Sequence, residues 1–174
     1  MKISHALLLF ALGLVGTGAL RGFDPTKPFP KTEVVFFEPE KFTDVRDSHG
    51  GESESARKEI LDELRTYLVK SANRLLAPGQ TLKITVTDVD LAGEFEPWRG
   101  VASDVRVVRD IYPPRIVLAF RLADVAGDIL VQGDRNLSDM NFLMRLSINR
   151  DDPRSHEKAL IDDWLRKDFG ALKK

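Results

Sequence analysis

Residues 81–94, TLKITVTDVDLAGE, decide the fold of this chain. Residues 82–86 alternate apolar and polar side chains, which is typical of a β-strand with one buried face. Asp88 and Asp90 continue in phase with the apolar residues, so an uninterrupted strand would place both carboxylates in the core. Because uncompensated buried charges are costly, we predict a β-bulge or a change of pairing partner near residues 87–88. Either change in the strand would turn the two carboxylates to the outer face of the sheet.

A long amphipathic helix is predicted upstream of this strand, at about residues 53–76. Its apolar residues recur at steps of three and four and form one stripe. The stripe consists of Ala56, Ile60, Leu64, Tyr67, Leu68, Ala72, Leu75 and Leu76. Ser53 or Ser55 can cap the start of the helix, and Pro78 with Gly79 marks its end. Such a helix needs a partner surface, because its stability comes mainly from packing.

The remaining periodic segments complete an α+β domain. Strands are predicted at residues 33–37, 104–109, 115–122 and 129–136, and a second amphipathic helix follows Pro153. Short turns between neighbouring strands favour antiparallel pairing, with the helices segregated to one side. The predicted fold is therefore a mainly antiparallel sheet of about five strands with two helices packed on one face, in the order β-α-β-β-β-β-α. This arrangement places Leu64 and Trp164 in one common interior.

The N-terminal residues have the layout of a secretory signal peptide. Lys2 supplies a positive start, residues 6–20 (ALLLFALGLVGTGAL) are uncharged and mostly apolar, and small residues precede Ala19. An uncleaved membrane anchor is the alternative, but this run is shorter than the about 20 apolar residues that span a bilayer. The predicted parts are a signal peptide at 1–19, an extended leader at 20–32 and a single α+β domain at 33–174, with no membrane span after cleavage.

Composition narrows the classes of function. The chain has 26 basic and 27 acidic residues, and removal of Lys2 with the signal peptide leaves a net charge of −2. So balanced a charge does not favour a surface that binds nucleic acid. The chain contains no cysteine, which excludes disulfides, thiolate metal sites, thiol nucleophiles and a lipid-anchored lipoprotein. The signal peptide predicts a periplasmic or secreted protein, and the charge balance predicts that it does not bind nucleic acid.

The acidic residues at the end of the central strand form the first candidate site. Asp88, Asp90 and Glu94 place three carboxylates within seven residues. The structural interpretation is the bulge described above. Two functional interpretations stay open. The carboxylates can begin a calcium site, although about six to eight oxygen ligands are needed and the EF-hand pattern is absent. They can also form an acid–base pair for hydrolysis, although a D-x-D pattern is common.

The loop at residues 92–103 (AGEFEPWRGVAS) is the second candidate site. Phe95, Trp98 and Arg99 stand there among glycines and a proline. Aromatic and arginine side chains in loops are favoured at contact sites. A loop tryptophan also often folds back to cover the open end of a sheet, so recognition and covering are both open interpretations.

Several short strings along the chain form a recognisable set. They are 37–44 (FEPEKFTD), 79–82 (GQTL), 87–94 (TDVDLAGE), Pro97, 104–106 (DVR), 114–116 (PRI), 157–158 (EK) and 162–164 (DDW). In them the chain resembles the domain of unknown function 3016 family, whose members are uncharacterised exported bacterial proteins. The resemblance extends over about residues 34–169, with His156 where a tyrosine is expected. It implies export and a single domain, and it supplies no activity.

These patterns favour binding over chemistry. No serine lies in a nucleophile-elbow context, and no catalytic residue, metal site or cofactor is assigned. We expect a non-catalytic periplasmic binding or envelope-accessory domain whose partner is an envelope protein or a small ligand. The alternative is a carboxylate-dependent hydrolase or calcium-binding domain. The candidate binding residues are Asp88, Asp90, Glu94, Phe95, Trp98 and Arg99.

Overall fold

The computed structural model describes residues 31–46, 53–96, 98, 100, 105–145 and 151–170. Its helices and strands are β1 (Thr32–Phe36), α1 (Glu54–Asn73), β2 (Thr81–Asp90), β3 (Glu94–Phe95), β4 (Arg106–Val107), β5 (Arg115–Ala123), β6 (Ile129–Ser138) and α2 (Ser155–Phe169). Short 3-10 helices lie at Pro39–Lys41 and Phe142–Met144. The predicted signal peptide, residues 20–30 of the predicted leader and Arg99 lie outside the described residues.

Four strands form the main sheet, in the order β1-β2-β5-β6. β1 is parallel to β2, whereas β2 pairs antiparallel with β5 and β5 pairs antiparallel with β6. The parallel pair follows from α1, because parallel neighbours require a long crossover connection and the helix supplies it. The predicted α+β fold is confirmed, with a mixed sheet in which the antiparallel pairs predominate.

The predicted strand at residues 104–109 belongs to a second, smaller sheet. Within it, Arg106–Val107 form β4, which pairs with β3 instead of joining the main sheet. Gly93 permits the chain to turn from β2 into this hairpin. Its φ is +84°, and a Cβ at this position would lie 2.7 Å from the carbonyl oxygen of Val107. The β3–β4 hairpin thus directly follows the end of β2.

The predicted bulge in β2 is confirmed. The register of β2 against β5 shifts between Val86 and Asp88, so side chains before and after this point exchange faces. Beyond the shift, Val89 is 1% exposed and Leu91 is 2% exposed. Asp88 and Asp90 lie on the opposite face, partly exposed. The bulge therefore keeps the apolar residues in the core and the carboxylates outside it.

Both helices pack on one face of the main sheet and enclose one core. Leu64 of α1 and Trp164 of α2 belong to the same buried cluster as the inward-facing strand residues, which confirms the predicted common interior. The Trp164 ring meets Phe120 and Phe169 edge to face, with centroid distances of 5.5 and 5.6 Å. Its indole Nε1 donates a 2.8 Å hydrogen bond to Asp168 Oδ2.

The other face of the main sheet is called the open face below. Four rows of cross-strand partners run across it: Glu33-Lys83-Arg121-Gln132, Val35-Thr85-Ala119-Asp134, Asp88-Val117-Asn136 and Asp90-Arg115-Ser138. All of these residues are exposed or half-buried. The open face is therefore a polar surface on which side chains from four strands are available to a ligand.

The two tryptophans offer a matched test of the core. Trp164 is 3% exposed, whereas Trp98 is 71% exposed. We expect Trp164→Ala to lower the free energy of unfolding by about 3–5 kcal/mol, because it removes a large buried side chain. Trp98→Ala should change it by less than about 0.5 kcal/mol. Urea unfolding followed by circular dichroism measures both values, and equal losses would contradict this placement of the core.

Candidate functional site

Asp88 is held by partners on two sides. Its Oδ1 accepts a 2.7 Å hydrogen bond from the Thr43 backbone N–H. Its Oδ2 accepts hydrogen bonds from Thr43 Oγ1 at 2.8 Å and from Arg115 Nη2 at 2.7 Å. Burial by itself raises the pKa of Asp88, but these hydrogen bonds and the Arg115 charge outweigh it and bring the pKa below its ordinary value. Both oxygens of Asp88 are thus engaged within the chain.

Asp90, two residues further along β2, is much less neutralised. Its Oδ2 lies 3.8 Å from Arg115 Nη2, which is longer than a hydrogen bond. Burial raises the pKa of Asp90, and the charge of Arg115 opposes this only in part. Repulsion from the carboxylates of Asp44, Asp88 and Glu94 raises the pKa of Asp90 further. Asp88 and Asp90 therefore share a strand and a face but have opposite electrostatic environments.

Glu94 and Phe95 fix the start of the β3–β4 hairpin. Glu94 Oε1 accepts hydrogen bonds from Arg46 Nη2 at 2.9 Å and from the Phe95 backbone N–H at 2.8 Å. The Phe95 ring is contacted by two guanidinium groups, with centroid distances of 5.0 Å to Arg46 and 4.7 Å to Arg106. Cation–π contacts of this kind are attractive. Glu94 and Phe95 thus connect the hairpin to the segment that follows β1.

One charge cluster joins the carboxylates of Asp44, Asp88, Asp90 and Glu94 with the guanidinium groups of Arg46, Arg106 and Arg115. Asp44 is the carboxylate of this cluster that the sequence analysis did not identify. Its backbone N–H donates to Val89 O, and its carbonyl accepts from Leu91 N, both at 3.1 Å. The buried carboxylate forms ion pairs at 2.9 Å with Arg46 Nε and with Arg106 Nη2. In the sequence Asp44 begins a polar loop, and no local pattern distinguishes it from a solvated acid. Its role follows from tertiary structure alone.

Glu157 lies behind the cluster, in the first turn of α2. It is fully buried, and its Oε1 accepts a 2.7 Å hydrogen bond from the Ala92 backbone N–H. Burial raises the pKa of Glu157, and the Ala92 hydrogen bond and the charges of Arg154 and Arg106 oppose this. In the sequence Glu157 resembles an ordinary first-turn acid that suits the helix dipole. The structure shows that it also ties α2 to the turn after β2.

A cleft of about 180 Å³, called the carboxylate cleft below, opens where β2 ends and the hairpin begins. Its lining includes Asp90, Glu94, Ile111, Tyr112, Pro113 and Arg115. The structure thus brings Asp90 and Glu94 to one cleft, whereas Asp88 is not part of the lining. Pockets that enclose a whole ligand measure about 300–1,000 Å³. The carboxylate cleft therefore fits one functional group or side chain.

Several exposed apolar side chains lie between residues 98 and 111, in and after the β3–β4 hairpin. Trp98 is 71% exposed and Ile111, which lines the carboxylate cleft, is 62% exposed. Val105 and Val108 are exposed at 58% and 43%. The interpretation of Trp98 as a cover for the sheet is wrong, because a covering side chain would be buried. Arg99, the other candidate of this loop, lies outside the described residues.

The described residues contain neither a metal-binding group of side chains nor a membrane-spanning helix. Over the described part of the chain, no three acidic or histidine side chains are arranged to hold a metal ion. Asp88, Asp90 and Glu94, the candidate calcium ligands, are among the side chains to which this statement applies. Within the same residues, neither long helix is apolar enough to cross a membrane.

The chain was compared with known protein families, curated proteins and solved structures. A family model described as "Protein of unknown function (DUF3016)" matches residues 30–167. The chain belongs to this family. The match spans the carboxylate cleft, the main sheet and most of α2, so the cleft is part of the DUF3016 domain itself. No curated protein and no solved structure matches the chain.

The opposite environments of Asp88 and Asp90 predict opposite effects of removing each charge. Asp90→Asn should raise the Tm of the DUF3016 domain at pH 7 by about 2–4 °C, since it removes a charge that the folded state disfavours. Asp88→Asn should lower the Tm by about 3–8 °C, because hydrogen bonds to an ionised carboxylate are lost. Thermal unfolding of the two variants beside the wild type measures both shifts.

The pH dependence of these Tm shifts follows from the directions of the pKa changes. The raised pKa of Asp90 makes its ionised form destabilising, so the gain from Asp90→Asn disappears as the pH falls towards the ordinary aspartate pKa of 3.8. The lowered pKa of Asp88 makes its ionised form stabilising above 3.8, and this contribution is lost as the pH falls through the lowered value. Tm shifts of the same sign at pH 7 would refute these assignments.

Proposed function

We propose that this DUF3016 protein is exported through its N-terminal signal and acts as a non-catalytic binding domain of the bacterial cell envelope. The observation that carries the proposal is the position of Asp90. It lines a small cleft, its pKa is raised, and the nearest cationic nitrogen among the described residues is 3.8 Å away. A carboxylate with a perturbed pKa in a cleft is a candidate functional group. A role in binding a ligand would explain why the chain has an aspartate at position 90, where the folded state disfavours the ionised carboxylate.

The charges near the cleft indicate which ligand group would fit. The cluster contains the carboxylates of Asp44, Asp88, Asp90 and Glu94 and the guanidinium groups of Arg46, Arg106 and Arg115. Among these described carboxylates, Asp90 has the longest ion-pair distance, 3.8 Å, and its charge is the least compensated. A ligand ammonium group would compensate it, and the ring of Tyr112 in the lining offers a cation–π surface. We therefore propose a cationic side chain as the group that enters the cleft.

The exposed apolar residues support a macromolecular partner. Ile111, an exposed aliphatic residue, lines the carboxylate cleft, and an apolar side chain beside a charged pocket is typical of a binding interface. Ile111 would then contact the partner around the inserted cation, and the exposed Trp98, between β3 and β4 in the chain, would offer a further apolar contact. The proposed partner is an envelope protein or peptide that presents a lysine-like side chain.

Hydrolysis is a second candidate function, and one observation favours it. Asp90 and Glu94 line the same cleft, and the raised pKa of Asp90 suits a general acid while Glu94 is paired with Arg46. Hydrolysis requires turnover that Asp90→Asn abolishes. A binding domain, in contrast, leaves every covalent bond of its ligand intact.

A short lysine-containing peptide tests the binding role by isothermal titration. Against the same peptide with acetylated lysines, we expect at least about tenfold tighter binding of the charged form. Asp90→Asn should remove this preference, whereas Asp128→Asn, at the exposed β5–β6 turn, should keep it. Affinity should rise as the pH increases through the raised pKa of Asp90, because the ionised form attracts the cation. Equal behaviour of the two variants would contradict the proposal, and cleavage of the peptide would favour the hydrolase.

Export is tested separately by expressing the full chain in a Gram-negative host. We expect the mature protein in the periplasmic fraction, with an N-terminus at Leu20 as read by mass spectrometry. Leu9→Arg, which places a charge in the apolar run, should retain the uncleaved chain in the cytoplasm. Finding the unmodified chain uncleaved in the cytoplasm would refute export.

A further inference from the structure

The open face carries two cations directly opposite each other. Lys83 of β2 and Arg121 of β5 are cross-strand partners, and both are exposed. Like charges at directly opposed positions destabilise a sheet. Lys83 Nζ lies 3.5 Å from Glu33 Oε2. Across the described part of the chain, the Arg121 side chain has no hydrogen bond, ion pair or ring contact. The fold thus holds an unneutralised guanidinium beside a second positive charge.

These two cations line a trough of about 500 Å³ on the open face, a volume in the range of pockets that hold a whole small ligand. Its lining includes Lys83, Thr85, Ala119, Arg121, Gln132 and Asp134. Thr85 and Gln132 add a hydroxyl and an amide, both able to donate hydrogen bonds. The trough shares no lining residue with the carboxylate cleft, so the two sites are independent.

Asp134 adds an acceptor to the same trough. It is the partner of Ala119 on β6, and Gln132, the partner of Arg121, precedes it by two residues. Asp134 therefore lies diagonally across from Arg121, yet no ion pair joins the two side chains. A guanidinium and a carboxylate that stand in one trough without pairing can bind the two ends of a ligand that carries complementary groups.

We propose that the trough binds a small carboxylate that bears an amino or hydroxyl group on the adjacent carbon. The ligand carboxylate would form two parallel hydrogen bonds with the Arg121 guanidinium, beside the charge of Lys83. The ligand amino or hydroxyl group would donate to Asp134. Lys83 and Arg121 supply the attraction for the anion, and Asp134 supplies the preference for a ligand with a donor.

Titration of the ¹⁵N-labelled protein with L-alanine, acetate and inorganic phosphate, followed by NMR, tests this site. We expect saturable shifts of the Thr85, Ala119 and Gln132 amides with L-alanine, and at least about tenfold weaker binding of acetate. Arg121→Gln should abolish the saturable shifts. Lys70→Gln, which removes an exposed charge from α1, should leave them unchanged. Asp134→Asn should remove the preference for L-alanine over acetate.

The fold of the Arg121→Gln variant provides an internal control. Because the substitution removes one of two opposed like charges, the Tm of the Arg121→Gln variant should equal or exceed that of the wild type. Three results would overturn the site: no saturable shift with L-alanine, L-alanine shifts that survive Arg121→Gln, or equal affinities for L-alanine, acetate and phosphate. The last result would show attraction to anions in general, without the role assigned to Asp134.

Discussion

The free energy of burying a carboxylate is the constraint on which this fold depends. The chain must supply Leu82, Ile84 and Val86 of β2 to the core and then Val89 and Leu91, while Asp88 and Asp90 stay outside. A strand of strict alternation cannot do both, since one face would receive the whole series. One extra residue at the bulge satisfies both demands. It also lets β2 continue as a paired strand up to the point where Asp90 meets the carboxylate cleft.

Arg115 divides the two aspartates into a structural and an available carboxylate. It is the cross-strand partner of Asp90, yet its Nη2 is 2.7 Å from Asp88 and 3.8 Å from Asp90. One guanidinium nitrogen cannot neutralise both at close range, and Thr43 adds its hydrogen bonds to Asp88 only. The chain therefore stabilises one carboxylate fully and leaves the other with a raised pKa. Proteins commonly retain such a local cost where a site is used.

The features predicted from sequence are those set by local periodicity. Residues 82–86 alternate apolar and polar side chains, and Asp88 and Asp90 continue in phase with the apolar ones, which was enough to predict the bulge. The apolar stripe containing Leu64 was enough to predict α1 and the face of α1 that packs on the sheet. The parallel pairing of β1 was not predicted, because pairing direction depends on where α1 carries the chain. The short β4 differs from the prediction for residues 104–109, since a run of valines does not reveal which strand will be its partner.

The charge cluster was predictable only in part, because burial of a charge is a tertiary property. The sequence drew attention to Asp90 and Glu94 by their proximity to a strand end, and the structure places them in one cleft. Asp44 and Glu157 carry no local signal, and their roles arise from backbone contacts with residues about 45 to 65 positions away. The unpaired state of Arg121 could not be predicted either, because its cross-strand neighbour is set by register.

The titration of the individual carboxyl groups tests the central claim most directly. NMR of ¹³C-labelled protein can follow the side-chain carboxyl carbons of Asp88 and Asp90 through an acid titration of the folded state. We expect Asp88 to titrate below, and Asp90 above, the ordinary aspartate pKa of 3.8. Coincident titration curves, or the reverse order, would contradict the division between a structural and an available carboxylate at the end of β2.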